Sequence, residues 1–68
     1  MNDQDLKNAA TEYVRDFYNE KDLSAWSPRL DESSTGEDTF YVKVVAENCN
    51  YGVTLNANAE VLDCQELL

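Results

Sequence analysis

Hydrophobic residues in this chain change their spacing near residue 39, and that change leaves few folds open. Upstream, Leu6, Ala9, Ala10, Tyr13, Val14, Phe17 and Tyr18 recur at intervals of three and four, the stripe of one helical face. Downstream, Phe40, Val42, Val44 and Ala46 alternate with Tyr41, Lys43 and Val45, the period of a strand with two different faces. A helix that must bury one stripe and a sheet that must bury one face are satisfied together by laying the first on the second.

The helix is expected over about residues 3–21. Asn2 or Asp3 can cap it, and Asp3 and Asp5 lie where the positive end of the helix dipole favours acids. Lys7, Glu12, Arg15, Asp16 and Glu20 are assigned to the solvent side, with Glu12 and Arg15 one turn apart. Pro28 disfavours helical geometry in the residue before it, so the helix stops upstream of it. Trp26, Pro28 and Leu30 then alternate with Ser27, Arg29 and Asp31, which suits a first edge strand, where a proline is tolerated.

Residues 31–38 are polar and acidic without periodicity and read as a connecting loop. Glu47 to Asn50 turns the chain, Tyr51, Val53 and Leu55 mark another strand, and residues 56–59 make a tight turn in which Asn58 tolerates a left-handed backbone. Glu60 to Gln65 gives the last strand. The fold class is therefore α+β: one N-terminal amphipathic helix on a three- to four-stranded antiparallel β-meander spanning about 39–66. Leu6, Tyr13, Phe17, Phe40, Val42, Val44, Val53, Leu55 and Val61 are the expected core. With 68 residues the chain is expected to form a single domain, 1–68, burying roughly 60% of the surface it exposes when unfolded.

Fourteen Asp and Glu stand against five Lys and Arg, with no His and a formal net charge of −9. Five scattered cations cannot neutralise a row of phosphates, so direct nucleic-acid binding is not expected. Anionic membranes are disfavoured for the same reason. Basic protein partners, by contrast, are steered toward such a body at rates that fall with salt. Met1 is followed by Asn2-Asp3-Gln4-Asp5 with no apolar run, so neither a secretory signal nor a bilayer span is expected; the cytoplasm is the expected compartment, with a mature secreted form stripped of its signal as the alternative.

The run Tyr51-Gly52-Val53-Thr54-Leu55-Asn56-Ala57-Asn58-Ala59-Glu60-Val61-Leu62, preceded by Phe40-Tyr41-Val42-Lys43-Val44, resembles the hairpin of PepSY-type domains. The helix-then-meander order is similar to the cystatin-like class. PepSY-type hairpins put Asp where this chain has Asn56 and Gly where it has Ala59, so both turn residues depart from the pattern. The resemblance implies a noncatalytic module, often tied to protease propeptides or inhibition, and carries over no functional residue.

Catalysis is poorly supplied. Without His the commonest general base and zinc ligand is missing, and the pairs Asp31/Glu32 and Glu37/Asp38 have no apolar shell to shift a carboxylic pKa. No enzyme, cofactor or metal is expected; the acidic loop lacks the alternating oxygen ligands and distal Glu of a calcium loop, and two cysteines alone do not complete a zinc site. Cys49 and Cys64 face each other if the last hairpin is centred between Asn56 and Ala57. A bridge there closes a loop of about fifteen residues, worth roughly 3 kcal/mol on the chain-entropy model. A shift of one residue removes the alignment, and two reduced thiols are then the alternative.

Aromatic residues anchor interfaces, and Tyr18, Trp26, Tyr41 and Tyr51 are the ones expected to be partly exposed. Tyr41 and Val45 on the outer sheet face make an apolar patch on an acidic protein. The candidate partner-binding residues are Tyr18, Trp26, Tyr41 and Val45 with the acids Asp31, Glu32, Glu37 and Asp38. The leading expectation is a protein-binding module whose carboxylates imitate phosphates toward a basic partner, as phage anti-restriction and anti-CRISPR inhibitors do. A peptidase or envelope partner, as the PepSY-like resemblance implies, and a homodimer with a structural role are the alternatives.

Overall fold

The computed structural model describes residues 3–32 and 38–67. One helix, α1 (Asp3–Tyr18), precedes five strands: β1 (Ser24–Ala25), β2 (Arg29–Glu32), β3 (Asp38–Val45), β4 (Asn50–Asn56) and β5 (Val61–Leu67). All strand pairs are antiparallel, and the α+β architecture has the order expected, with more strands.

Helix α1 buries Leu6, Ala10 and Val14, a stripe with a spacing of four. Asp3 and Asp5 occupy its first turn and Arg15 its last, each at the end of the dipole that suits its charge. The helix stops at Tyr18, short of the expected residue 21. Asn19 adopts a φ of 55°, the left-handed conformation that closes helices and that Asn accepts more readily than other side chains. Asp22 repeats this geometry at φ 55° and turns the chain into β1.

That early stop relocates Glu20. Placed on the solvent side by helical periodicity, it is instead 7% exposed. Asn48 Nδ2 donates to Glu20 Oε1 at 2.9 Å, and the Tyr51 hydroxyl donates to Oε2 at 3.2 Å. The carboxylate thus ties the end of α1 to the β3–β4 turn and to the middle of the sheet. Burial, and then the bond to Glu20, push the Tyr51 hydroxyl up from 10.0 to about 12.

Strand β3 is central. It pairs with β4 on one side and with both β1 and β2 on the other. Ala25 opposes Val44, yet Arg29 opposes Tyr41, so Trp26, Ser27 and Pro28 span the space of Val42 and Lys43. The extra residue is a β-bulge: of the edge strand expected from Trp26, Arg29 onward is kept as β2, and the short β1 lies ahead of the bulge. Trp26 N still donates to Lys43 O at 2.8 Å, while Pro28 has no N–H to offer. Pairing runs on to Glu32 opposite Asp38, so Asp31, Glu32 and Asp38 belong to strands rather than to the expected acidic loop.

The β4–β5 turn is held by Asn56, whose Oδ1 accepts from Asn58 N at 2.9 Å and Glu60 N at 3.0 Å. Its left-handed residue is Ala59, at φ 60°, not the expected Asn58. Asn56 N donates to Glu60 O, and Ala59 N to Asn56 O, closing a three-residue hairpin loop in which such a backbone is required at the last position.

Opposed residues share a face, which places Val42 with Val53, Val44 with Tyr51 and Phe40 with Leu55 under the helix. Leu55, Val14, Val42, Val44 and Val53 are fully buried, each contributing about 1.5–3 kcal/mol of apolar burial. Two aromatics exchange their expected roles: Tyr51 is 4% exposed, and Phe17 is 67% exposed. Phe40 and Val61 are half-buried at the margin of the core, and Tyr13, expected in it, is half-buried on the helix.

Replacing Ala59 by Gly removes a left-handed β-carbon, a strain of about 1–2 kcal/mol partly offset by glycine's greater chain entropy, so a net gain of about 0.5–1 kcal/mol is expected in urea unfolding with an unchanged m value. Glu20→Ala leaves the Tyr51 hydroxyl and Asn48 amide without their acceptor and is expected to cost about 1–3 kcal/mol, with Glu20→Gln milder. Since an unfolded tyrosine ionises near 10 and Tyr51 near 12, the stability tied to its proton is complete below pH 10 and lost as pH rises to 12. Tyr51→Phe should flatten that alkaline loss.

Candidate functional site

The sheet face turned away from α1 is covered by no element among the described residues. It carries Tyr41, Lys43 and Val45 from β3, with Thr54 and Gly52 opposite the first two. Tyr41 lies across Gly52: a β-carbon at position 52 would come within 2.7 Å of Tyr41 Cζ. Glycine here is a requirement of close approach, and it lets the phenol lie flat on the sheet.

Trp26 enters this face from the bulge. The residue is 58% exposed, and Lys43 Nζ stands 4.4 Å from the ring centroid. Such a contact is worth about 0.5–1 kcal/mol at an exposed site and holds both side chains in place. Trp26, Ser27, Arg29, Tyr41 and Lys43 line a shallow concavity of about 230 Å³. An indole, a phenol, a guanidinium and an ammonium therefore converge on one spot of a strongly acidic protein.

Of the residues singled out by sequence, Trp26 and Tyr41 are brought together, and Val45 continues the same face, half-buried. The patch is cationic and aromatic rather than simply apolar. Lys43 was legible on the outer face from its alternation with Tyr41 and Val45. Arg29 was not: an unbroken strand from Trp26 puts it on the opposite face, and the bulge brings it round to oppose Tyr41.

Tyr18 belongs elsewhere, under the end of the helix, with its ring 4.5 Å from Tyr51 and 4.9 Å from Phe17. Asp38 is exposed and lines a separate recess with Asn56, Ala57 and Asn58. Glu37, and the side chains of Asp31 and Glu32, lie outside the described residues.

Both cysteines are free thiols. The hairpin is not centred between Asn56 and Ala57: Asn50 opposes Leu67 and Val53 opposes Cys64, so Cys64 faces a position four residues along from Cys49, about 13 Å of strand. The register needed for a bridge is absent. The Cys49 thiol donates instead to Asn50 O and Leu67 O, at 3.2 and 3.3 Å. Burial pushes the Cys64 thiol up; the Tyr18 hydroxyl, which donates to it, pulls the other way, and the charges of Asp63 and Glu66 add to the rise.

No helix is long and apolar enough to cross a membrane, and no cluster of three metal-ligating side chains occurs, among the described residues. Compared with protein-family models, with curated proteins and with solved structures, the chain has no match.

A raised thiol pKa leaves less thiolate near neutral pH, so in a Cys49→Ser background the midpoint of iodoacetamide alkylation against pH should lie above that of an unstructured cysteine peptide. Tyr18→Phe, by removing the donor to the thiolate, should move it higher still. A midpoint at or below the peptide's would contradict the assignment.

Proposed function

We propose that this chain is a small acidic protein-binding module that grips its partner through the open sheet face. The observation that carries this reading is the pair of exposed Trp26 and half-buried Tyr41 on one open face, the first beside Lys43 and the second bedded on Gly52. Aromatic anchors that need little ordering on contact are the side chains that dominate interface energies.

The charge supports a second part of the proposal. Asp3, Asp5, Glu12 and Asp16 are exposed along α1, away from the aromatic patch, and a rigid row of carboxylates can stand in for phosphates toward a basic protein. On this view the chain is an inhibitor of the anti-restriction or anti-CRISPR kind, which competes with nucleic acid and does not bind it.

A second reading, with a peptidase or envelope partner, draws on the β4–β5 turn. Asn56 bonds there as an Asp does, and Ala59 holds the backbone natural to Gly, the two residues that PepSY-type hairpins carry.

Capture from a host lysate, repeated with Trp26→Ala/Tyr41→Ala, tests the proposal. The expected outcome is a nucleic-acid-binding protein that duplex DNA displaces, that is lost between low and moderate salt, and that the double variant holds on the order of thirtyfold more weakly. Capture indifferent to salt and DNA removes the mimicry, and capture of a peptidase favours the second reading. Binding unchanged in the double variant removes the open face.

A further inference from the structure

Acids outnumber cations fourteen to five in this chain, yet among the described residues no carboxylate lines the concavity of Trp26, Ser27, Arg29, Tyr41 and Lys43. Two of the five cations meet there. Arg29 opposes Tyr41, and Lys43 lies two residues along β3 from that tyrosine, so the two are diagonal neighbours across the strands. Such neighbours stand about 7–8 Å apart at their backbones, and side chains as long as these can reach one common group. Among the described residues Arg29 makes no hydrogen bond or ion pair, and the partner of Lys43 is the Trp26 ring. A contact with a ring face leaves ammonium N–H groups free to donate. The concavity thus offers positive charge that the chain itself does not neutralise, between two aromatic walls.

We infer that this concavity seats a carboxylate of the partner: an Asp or Glu side chain on a peptide segment, with an apolar neighbour lying against Trp26 and Tyr41. The inference rests on the reading that the open face is the grip, and it names the group gripped. Guanidinium matches a carboxylate with two parallel hydrogen bonds, and an ammonium adds a charge-assisted third. The indole and phenol supply flat apolar surface for the adjoining side chain. Charge selects among anions. A nucleic-acid strand brings a row of negative charges toward a body of −9, whereas a single carboxylate is answered by the two cations beside it. The local preference is also opposite in sign to the field of the whole chain, which attracts basic peptides. Helix α1 and its carboxylates lie on the other side of the sheet, so the charge preference of each surface can be read separately.

Trp26 is the single tryptophan of the chain, so its fluorescence reports directly on the site. The probes are acetyl-Phe-Glu-amide, acetyl-Phe-Gln-amide and acetyl-Phe-Lys-amide, which share an apolar group and differ in charge. The Glu peptide is expected to bind about two- to thirtyfold more tightly than the Gln peptide, the sum of two exposed ion pairs, with the Lys peptide weakest. Arg29→Gln/Lys43→Gln should bring the Glu and Gln peptides level. Lys21→Gln, which removes a cation from a different recess, should keep the preference. Gly52→Ala leaves the charges in place but sets a β-carbon where the Tyr41 phenol lies, and should weaken all three peptides. Equal binding of the Glu and Gln peptides, preference for Lys, or a preference that survives Arg29→Gln/Lys43→Gln overturns the carboxylate seat, as does the absence of binding by any peptide. Tighter binding of a thymidine dinucleotide than of the Glu peptide overturns it in favour of phosphate. None of these results removes the open face as a grip, which stands or falls with capture by the Trp26→Ala/Tyr41→Ala variant.

Discussion

The seating of Leu6, Ala10 and Val14 on the face formed by Val42, Val44, Val53 and Leu55 is the contact on which the rest of the molecule depends. It is a two-layer solution, and two layers supply a single apolar seam. One helix is too narrow to cover a sheet on both sides, so the same packing that makes the core also fixes what remains uncovered: the far face with Trp26 and Tyr41, and the flank beyond β5 with Phe17 and Leu62. Both surfaces are consequences of the core's small size as much as of their own composition.

Electrostatics divides the surface in a way that net charge conceals. The total of −9 is a sum over the whole chain, yet Arg29 and Lys43, two of the five cations, stand beside Trp26 and Tyr41. Acid dominates the exposed helix, and one carboxylate, Glu20, is turned inward, where two hydrogen bonds replace water. Acidity is thus a field over most of the molecule, a structural bond at one point, and, among the described residues, no part of the lining of the Trp26–Tyr41 concavity.

Wherever hydrophobic periodicity ran unbroken the sequence was a sound guide, because burial on one face demands it: α1 in its first four turns, and β3 and β4 along their length. It misled wherever a single backbone angle or one extra residue reset the phase. Asn19, in left-handed geometry, ended the helix early and turned Glu20 from solvent to interior. Phe17 satisfied the helical period, yet lies at the side of the Leu6–Val14 stripe in the last turn, while Tyr51 was drawn inward by pairing with Val44. The separation of Cys49 and Cys64 turned on hairpin register, which composition does not encode, and the left-handed role fell to Ala59 although Asn58 beside it is the better residue for it. In the candidate site Trp26, Tyr41 and Val45 were legible from strand alternation. Arg29 was hidden by the bulge.

That bulge bears on how the chain can change. With three residues against two, the segment from Trp26 to Pro28 acts as a half-period delay between β1 and β2. Losing one residue there restores a simple alternation and exchanges the two sides of β2, turning Arg29 toward the helix and a neighbour outward. Length in this short stretch is accordingly held more tightly than identity: substitutions at Ser27 alter one side chain, whereas a single deletion rewrites the chemistry of an entire face.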